Sequence, residues 1–202
     1  RLAVLGLAAA LALTLHTGYV RLLTWQGTST WIEVNEGLMQ GQPSREVLRQ
    51  RIVDARPRIE SAASSLRSAL SSGLLEDPVL LRTLGLVERS LGNLDAAEQT
   101  LRSGLQAQDD WTMRLALSVV LLQKQDPPAA EEVLREGLES DPGRPELALQ
   151  LTDILARQFR FDDARQIAEQ SFEERPDARV KQKLILLTLD TAEMKGRQGD
   201  LE

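Results

Sequence analysis

Cysteine is absent from the chain, histidine occurs once, and each shortage excludes a class of function or fold. Without cysteine there is no disulfide, no thiolate metal site and no thiol nucleophile. The single histidine, His16, lies in an apolar segment, so no Ser–His or Cys–His pair can form in the polar part of the chain. Aromatic residues make up only 3%, whereas Ala, Leu, Glu, Gln and Arg are abundant, which favours an all-α fold.

Positive charge is also in the minority. There are 24 Lys and Arg against 30 Asp and Glu, which gives a net charge of −6. The basic residues are scattered, so we expect no nucleic-acid partner. Adjacent carboxylates such as Asp109 and Asp110 would point about 100° apart on a helix and would not converge on one atom. No glycine-rich phosphate loop or metal-spaced cluster occurs in the sequence. We therefore expect no enzymatic activity, no metal and no bound cofactor.

One long apolar run interrupts this polar composition. The segment from Leu2 to Val20 contains no Asp, Glu, Lys or Arg. Its nineteen residues span about 28 Å as a helix, close to the bilayer core of about 30 Å. Basic and aromatic residues flank it, as at a membrane interface: Arg1, Arg21, Tyr19, Trp25 and Trp31. The pattern predicts a transmembrane anchor over residues 1–24 rather than a signal peptide, whose apolar region is shorter.

The flanks of this run predict its orientation. Residues 22–44 contain Glu33 and Glu36 but no Lys or Arg, so the positive-inside rule disfavours the cytoplasm for this side. We predict a single-pass protein of a bacterial inner (plasma) membrane with its polar part in the periplasm. Three small residues at helical spacing, Ala3, Gly6 and Ala10, predict close packing against another transmembrane helix.

Three stretches beyond the run superpose with offsets of 33 and then 34 residues. They cover residues 81–105, 114–138 and 148–172. The first half of each contains a large residue followed by a small one: Leu84-Gly85, Leu117-Ser118 and Leu151-Thr152. Each continues with a small residue, a residue that is bulky in the first two stretches, and another small residue: Ala97, Leu101, Gly104; Ala130, Leu134, Gly137; and Ala164, Ala168, Ser171. Small residues allow helices to approach closely, so this pattern indicates helix pairs.

The period and these residues resemble the tetratricopeptide repeat (TPR) family. Pro142 and Pro176 match the proline that commonly closes the unit, whereas Asp109 stands there in the first repeat. The family's first-helix aromatic is also missing. The resemblance implies antiparallel helix pairs stacked into an α-solenoid. The expected architecture is all-α: one transmembrane helix followed by this solenoid.

The register gives domain boundaries. TPR-like repeats are predicted at 78–110, 111–144 and 145–178, with a capping helix at 179–195, all within residues 78–202. Ile185 and Leu189 are expected to continue the repeat register in the capping helix. Residues 25–77 are predicted to be a divergent helical region in which Pro57 breaks a helix.

The resemblance also implies a binding groove, because first helices line the concave surface of such solenoids. The matching residues are Arg82, Leu86, Arg89, Leu115, Val119, Gln123, Leu149, Asp153 and Arg157. Leucines flanked by arginines suit a partner segment with apolar anchors and some acidic character. At these outward positions, Leu86 and Val119 are expected to contribute little to the repeat core.

These features predict a membrane-anchored scaffold for protein–protein interaction, an accessory subunit or assembly factor of a membrane protein complex. One alternative is a subunit of an electron-transfer or photosynthetic complex that binds haem or chlorophyll through His16, because histidine within a membrane helix is rare. Another is the C-terminal repeat tail of a larger membrane glycan polymerase or ligase, since the sequence begins at Arg1 rather than at methionine.

Overall fold

The described part of the chain is helical almost throughout. The computed structural model describes the backbone of residues 2–73 and 77–199, and the side chains of residues 12–73 and 77–189. The helices in these ranges are α1 (Leu2–Met39), α2 (Arg45–Ser72), α3 (Pro78–Leu91), α4 (Leu94–Ala107), α5 (Trp111–Gln123), α6 (Pro127–Ser140), α7 (Pro145–Arg157), α8 (Phe161–Glu174) and α9 (Ala178–Gly199). The expected all-α solenoid of antiparallel helix pairs is confirmed.

The helices form two compact units, which we call the first unit (Arg1–Asp109) and the second unit (Asp110–Glu202). In the first unit, α1 pairs with α2 and α3 pairs with α4, and α3 also contacts both α2 and α1. In the second unit, α5 pairs with α6, α7 with α8, and α9 packs on α8 and α7.

Helix starts follow directly from sequence. Asp77, Asp110 and Asp126 each precede a helix and accept a hydrogen bond from a backbone N–H in its first turn, at 2.9, 2.7 and 3.1 Å. Such caps satisfy donors that have no partner inside the helix. At the other end of α3, Gly92 has a φ of +82°, a conformation that glycine adopts without steric cost.

The core of the first unit joins three helices. Its buried apolar side chains come from α1 (Trp31, Val34, Leu38), α2 (Ile59, Ala62, Ala63, Leu66, Ala69) and α3 (Leu80, Leu84, Val87). Val20 and Leu23 of α1 pack against this core from its edge. Among the described side chains, packing of α1 against this core thus extends back to Val20, the last residue of the apolar run.

Two glycines show that α1 and α2 form a hairpin of the same kind as α3 and α4. A Cβ atom added to Gly27 would lie 2.5 Å from the Leu66 Cγ atom, and one added to Gly85 would lie 2.6 Å from the Leu101 Cγ atom. In both hairpins a glycine of the first helix therefore lies directly against a leucine of the second. Glycine at this point is what permits the close approach.

Three predictions about residues 1–77 differ from the structure. The helix predicted as anchor does not end near Thr24 but continues to Met39. Trp31, predicted to be an interfacial aromatic, is only 8% exposed, because it packs in the core of the first unit. Pro57 lies inside α2 without ending it. Pro57 and Val53, four residues earlier, are both exposed, so water can bind the carbonyl that the proline leaves without a donor.

No helix within the described residues is both long and apolar enough to span a bilayer. The side chains of residues 1–11, which form much of the predicted anchor, lie outside them. Of the exposed apolar side chains further along α1, Leu13, Leu15 and Tyr19 are 52%, 67% and 52% exposed.

The register of α9 differs from the prediction by one residue. Ile185 and Leu189 are 54% and 61% exposed, whereas Val180 and Leu187 are buried. These two buried residues follow Leu147 and Ile154 of α7 by 33 residues rather than 34, and all four are at most 3% exposed. The turn between α8 and α9 is therefore one residue shorter than the preceding offset predicts.

Candidate partner-binding face

The helix contacts of the second unit define an inner side. Helix α7 contacts both α5 and α9, whereas α6 and α8 make no contact with each other among the described residues. Helices that lie closer together are on the concave side of a curved stack. We therefore define the inner face of the second unit as the surface lined by α5, α7 and α9.

Six of the groove residues predicted from sequence lie on α5 and α7, two of the three helices that line this face. Leu115 and Val119 of α5 and Leu149 of α7 are half-buried, so each retains an exposed apolar portion. Gln123, Asp153 and Arg157 are exposed, so these helices present one acidic and one basic side chain as well as a neutral polar one. The half-buried leucines and valine alternate with fully buried neighbours on the same helices, which form the repeat core.

Ion pairs connect α7 to α9 across the inner face. Lys183 donates a hydrogen bond to Asp153. Arg179 donates to Glu146 at 2.8 Å and to Asp177 at 3.0 Å. The hydrogen bond from Arg179 holds the pKa of the Glu146 carboxyl below its ordinary value, although partial burial opposes this effect. Because these carboxylates are paired with α9, they are not the groups that a partner's basic residues would meet first.

Two exposed leucines of α9 are not among the groove residues predicted from sequence. Leu186 and Leu189 of α9 are 51% and 61% exposed. With the 33-residue offset they are equivalent to Asp153, a predicted groove residue, and Ala156 of α7. The sequence predicts a capping helix here, with Leu189 in the repeat register. The signal that could have found them is the buried spacing Val180–Leu187, which repeats Leu147–Ile154.

Among the three groove residues predicted in the first unit, Leu86 departs from expectation. Leu86 is half-buried and packs against the core of the first unit, so it does contribute to that core. Arg82 and Arg89 are half-buried on the same helix. Burial lowers the pKa of the Arg89 guanidinium, since desolvation disfavours the charged form. Leu86 packs in this way because α3 contributes to a core that it shares with α1 and α2.

The remaining predicted site residues lie in α1. Ala3, Gly6 and Ala10 lie outside the described side chains. His16 is half-buried, and its proposed role as a haem or chlorophyll ligand stays a prediction.

Comparison with protein families gives the identity of the repeats. Two tetratricopeptide repeat models match the chain, one over residues 82–145 and the other over residues 121–184. The chain is a tetratricopeptide repeat protein. TPR proteins bind other proteins, so the solenoid is a scaffold suited to protein–protein interaction. No curated protein matches the chain.

Solved TPR structures share this fold. A tetratricopeptide repeat protein from Parabacteroides merdae ATCC 43184 is 18% identical with a TM-score of 0.57, and the match covers 79% of this chain and 59% of that chain. A crystal structure of MamA is 15% identical with a TM-score of 0.55, and the match covers 69% of this chain and 82% of that chain. Identity this low shows the fold alone.

Proposed function

We propose that this TPR protein is a non-enzymatic scaffold of a bacterial inner membrane, anchored through residues 2–20 with its repeats in the periplasm. It acts as an accessory subunit or assembly factor of a membrane protein complex. Its repeats bind one protein of that complex, and its N-terminal helix keeps the bound partner close to the bilayer.

The observation that carries this proposal is the apolar part of the inner face. Leu115, Val119 and Leu149 are half-buried there, and Leu186 and Leu189 are more than half exposed. The fully buried positions of the repeat core on these helices are occupied by other side chains. Exposed apolar groups on one face of a solenoid favour a protein contact there.

The charges of this face favour a partner segment with some acidic character. Arg157 is exposed at the end of α7. The acidic side chains Asp153 and Glu146 are neutralised by Lys183 and Arg179. An acidic residue on the partner would therefore meet Arg157, while its apolar residues contact the leucines. Such charge complementarity sets the orientation of the partner more than its affinity.

The membrane part of the proposal is supported by the uncharged composition of residues 2–20 and by the exposure of two leucine side chains within them. Residues 2–20 contain no charged side chain, and α1 extends through them. Leu13 and Leu15 are mainly exposed, so the repeats do not bury them. Exposed leucines on an uncharged helical segment are stable in a bilayer and costly in water.

A pair of charge substitutions tests the scaffold. Leu186→Asp places a carboxylate in the proposed contact, and Val53→Asp on α2 is the matched control, since Leu186 and Val53 are 51% and 59% exposed. Both variants should fold as the parent does, judged by helicity and melting. The chain and its variants would be purified from membranes in mild detergent, and the co-purifying proteins identified by mass spectrometry.

We expect the parent and Val53→Asp to retain the same membrane complex and Leu186→Asp to lose it. Burial of an unpaired charge at an interface typically costs about 2–5 kcal/mol, which corresponds to a loss of roughly 30-fold or more in affinity. Retention of the full complex by Leu186→Asp would place the contact elsewhere. Recovery of the parent chain from the soluble fraction would contradict the membrane anchor.

A further inference from the structure

Helix α1 belongs both to the proposed membrane segment and to the repeat core. It runs from Leu2 to Met39 without interruption, and the apolar run ends at Val20. Val20 and Leu23 already pack against the core of the first unit. There is consequently no linker between the proposed anchor and the first unit. A continuous helix transmits position and orientation, whereas a flexible linker would transmit neither.

The packing of α1 prevents it from turning independently of its neighbours. Gly27 lies so close to Leu66 that an added methyl group would overlap it. At the C-terminal end of α1, the Arg51 Nη1 atom donates to the carbonyl oxygens of Gly37, Leu38 and Gln40 at 3.1, 3.1 and 2.7 Å. A rotation of α1 about its axis would break these contacts, so the helix and the hairpin move as one body.

The surface of the first unit at the level of Val20 has the composition of a membrane interface. Tyr19, Leu22 and Trp25 are 52%, 50% and 65% exposed, and Arg21 is exposed between them. We call these four residues the collar. Tyrosine and tryptophan prefer the headgroup level of a bilayer, and arginine reaches its phosphates. The core of the first unit leaves all four exposed.

The start of α3 lies at the same level as the collar. A cleft of about 270 Å³ is lined by α1, the end of α2 and the start of α3, including Arg21, Trp25, Gly73 and Leu80. Val79, next to Leu80, is 53% exposed. The collar and Val79 thus place exposed apolar side chains from two helices at one end of the first unit.

We propose that this end of the first unit rests in the lipid headgroup layer, with the collar and Val79 in contact with lipid. The proposal rests on the membrane anchoring proposed above and adds the lipid contact and the fixed geometry. Because α1 enters the bilayer directly below the collar, the first unit stands on the membrane surface at a set height and orientation. Met39 lies nineteen residues beyond Val20, about 28 Å further along the helix axis, and is therefore in water.

Single cysteines test this arrangement, since the chain has none of its own. Four variants of the full chain each carry one environment-sensitive fluorophore: Leu15→Cys in the anchor, Leu22→Cys in the collar, Val79→Cys on α3, and Met39→Cys as the control. Their side chains are 67%, 50%, 53% and 59% exposed, so every position accepts a label without loss of packing. The purified chain is reconstituted alone in phosphatidylcholine–phosphatidylglycerol vesicles, with nitroxide-labelled lipid as quencher.

We expect nitroxide at the headgroup to quench the labels at positions 22 and 79 several-fold more than the label at position 39. Acyl-chain nitroxide should quench the label at position 15. Quenching at 15 without quenching at 22 and 79 would overturn the lipid contact and leave the anchor intact. Absence of quenching at 15, with the chain in the supernatant, would contradict the anchor itself. Strong quenching at 39 would also overturn the proposal, because the first unit would then lie flat.

An insertion distinguishes rigid attachment from independent lipid binding. Five flexible Gly and Ser residues placed between Val20 and Arg21 should leave quenching at position 15 unchanged and reduce quenching at position 79 to the level at position 39. Undiminished quenching at position 79 would overturn the role of the continuous helix, since the first unit would then bind lipid without it.

Discussion

Replacement of Gly27 by alanine should destabilise the first unit, although alanine is the better helix former. The Cβ atom would lie 2.5 Å from the Leu66 Cγ atom, 2.8 Å from its Cδ2 atom and 3.1 Å from the Ala62 carbonyl oxygen. Leu66 is fully buried, so it has no free space into which to rotate. The clash involves the branch point of leucine and a backbone atom, neither of which moves easily.

Two opposing effects set the magnitude. Alanine in place of glycine within a helix contributes about 1 kcal/mol of stability. An extra methyl group in a well-packed core costs about 1–3 kcal/mol. The net effect expected for Gly27→Ala is therefore a destabilisation of about 0–2 kcal/mol. Gly37→Ala, in the same helix, supplies the matched control, because no atom lies within 4 Å of its added Cβ. That variant should gain up to about 1 kcal/mol.

Urea denaturation followed by circular dichroism in a fixed detergent measures both variants against the parent. The expected result is a lower midpoint for Gly27→Ala and an equal or higher midpoint for Gly37→Ala. Leu66→Ala in the Gly27→Ala background should cost less than Leu66→Ala alone, since the new methyl group occupies part of the cavity. Equal midpoints for the two glycine variants, with no coupling to Leu66, would show that α1 does not pack on α2 as described.

Three further predictions concern the other contacts. Ala130→Leu should destabilise the fully buried seam of α6 by about 1–3 kcal/mol, whereas Ala107→Leu, at the exposed end of α4, should have little effect on melting. Arg67→Ala should lower the free energy of unfolding by about 1–3 kcal/mol, because the buried Glu88 carboxylate, 2.6 Å from Arg67 and 2.7 Å from Asn93, loses its cation. Glu88→Gln should lower it less, and equal losses for the two variants in urea titrations would contradict this reasoning. Burial raises the pKa of Glu131, but hydrogen bonds from Arg160 and Arg135 outweigh it and hold that pKa below its ordinary value. A lowered folded-state pKa gives stability that is present at neutral pH and lost as the pH falls below about 4, so Glu131→Gln should lower the Tm at pH 7 and approach the parent near about pH 3.

The repeats could be predicted from sequence because their packing depends on residue size at fixed spacing. Ala97, Leu101 and Gly104 are buried as the pattern predicts, and so are their equivalents in α6 and α8. Where two helices pack closely, only a small side chain fits, so small residues at this spacing mark the contact between the helices. The 33- and 34-residue periods then placed each helix pair without reference to any partner.

The first hairpin could not be predicted in the same way because its helices are much longer than those of the repeats. Gly27 and Leu66 are 39 residues apart, whereas Gly85 and Leu101 are 16 apart, so no period connects the two pairs. Ala62, Leu66 and Ala69 do repeat the second-helix spacing of Ala97, Leu101 and Gly104, but Gly27 is identified as the partner of Leu66 only when the contact distances are known. Trp31 was misplaced for a related reason: proximity to an apolar run indicates an interface, but the side of the helix on which the residue lies decides its burial.

The binding face depends on tertiary contacts that a repeat pattern does not contain. Leu86 and Val119 occupy equivalent positions in sequence, yet Leu86 packs against a core built partly by α1. Val119 lies in the second unit, where the inner side of α5 keeps part of its surface open. A helix that completes the core of the first unit has no counterpart in the repeats that follow. The same helix α1 leads into the proposed membrane segment, so the covering of α3 and the attachment to the bilayer have one structural cause. We therefore expect partner specificity to depend mainly on the second unit and position at the membrane to depend on the first.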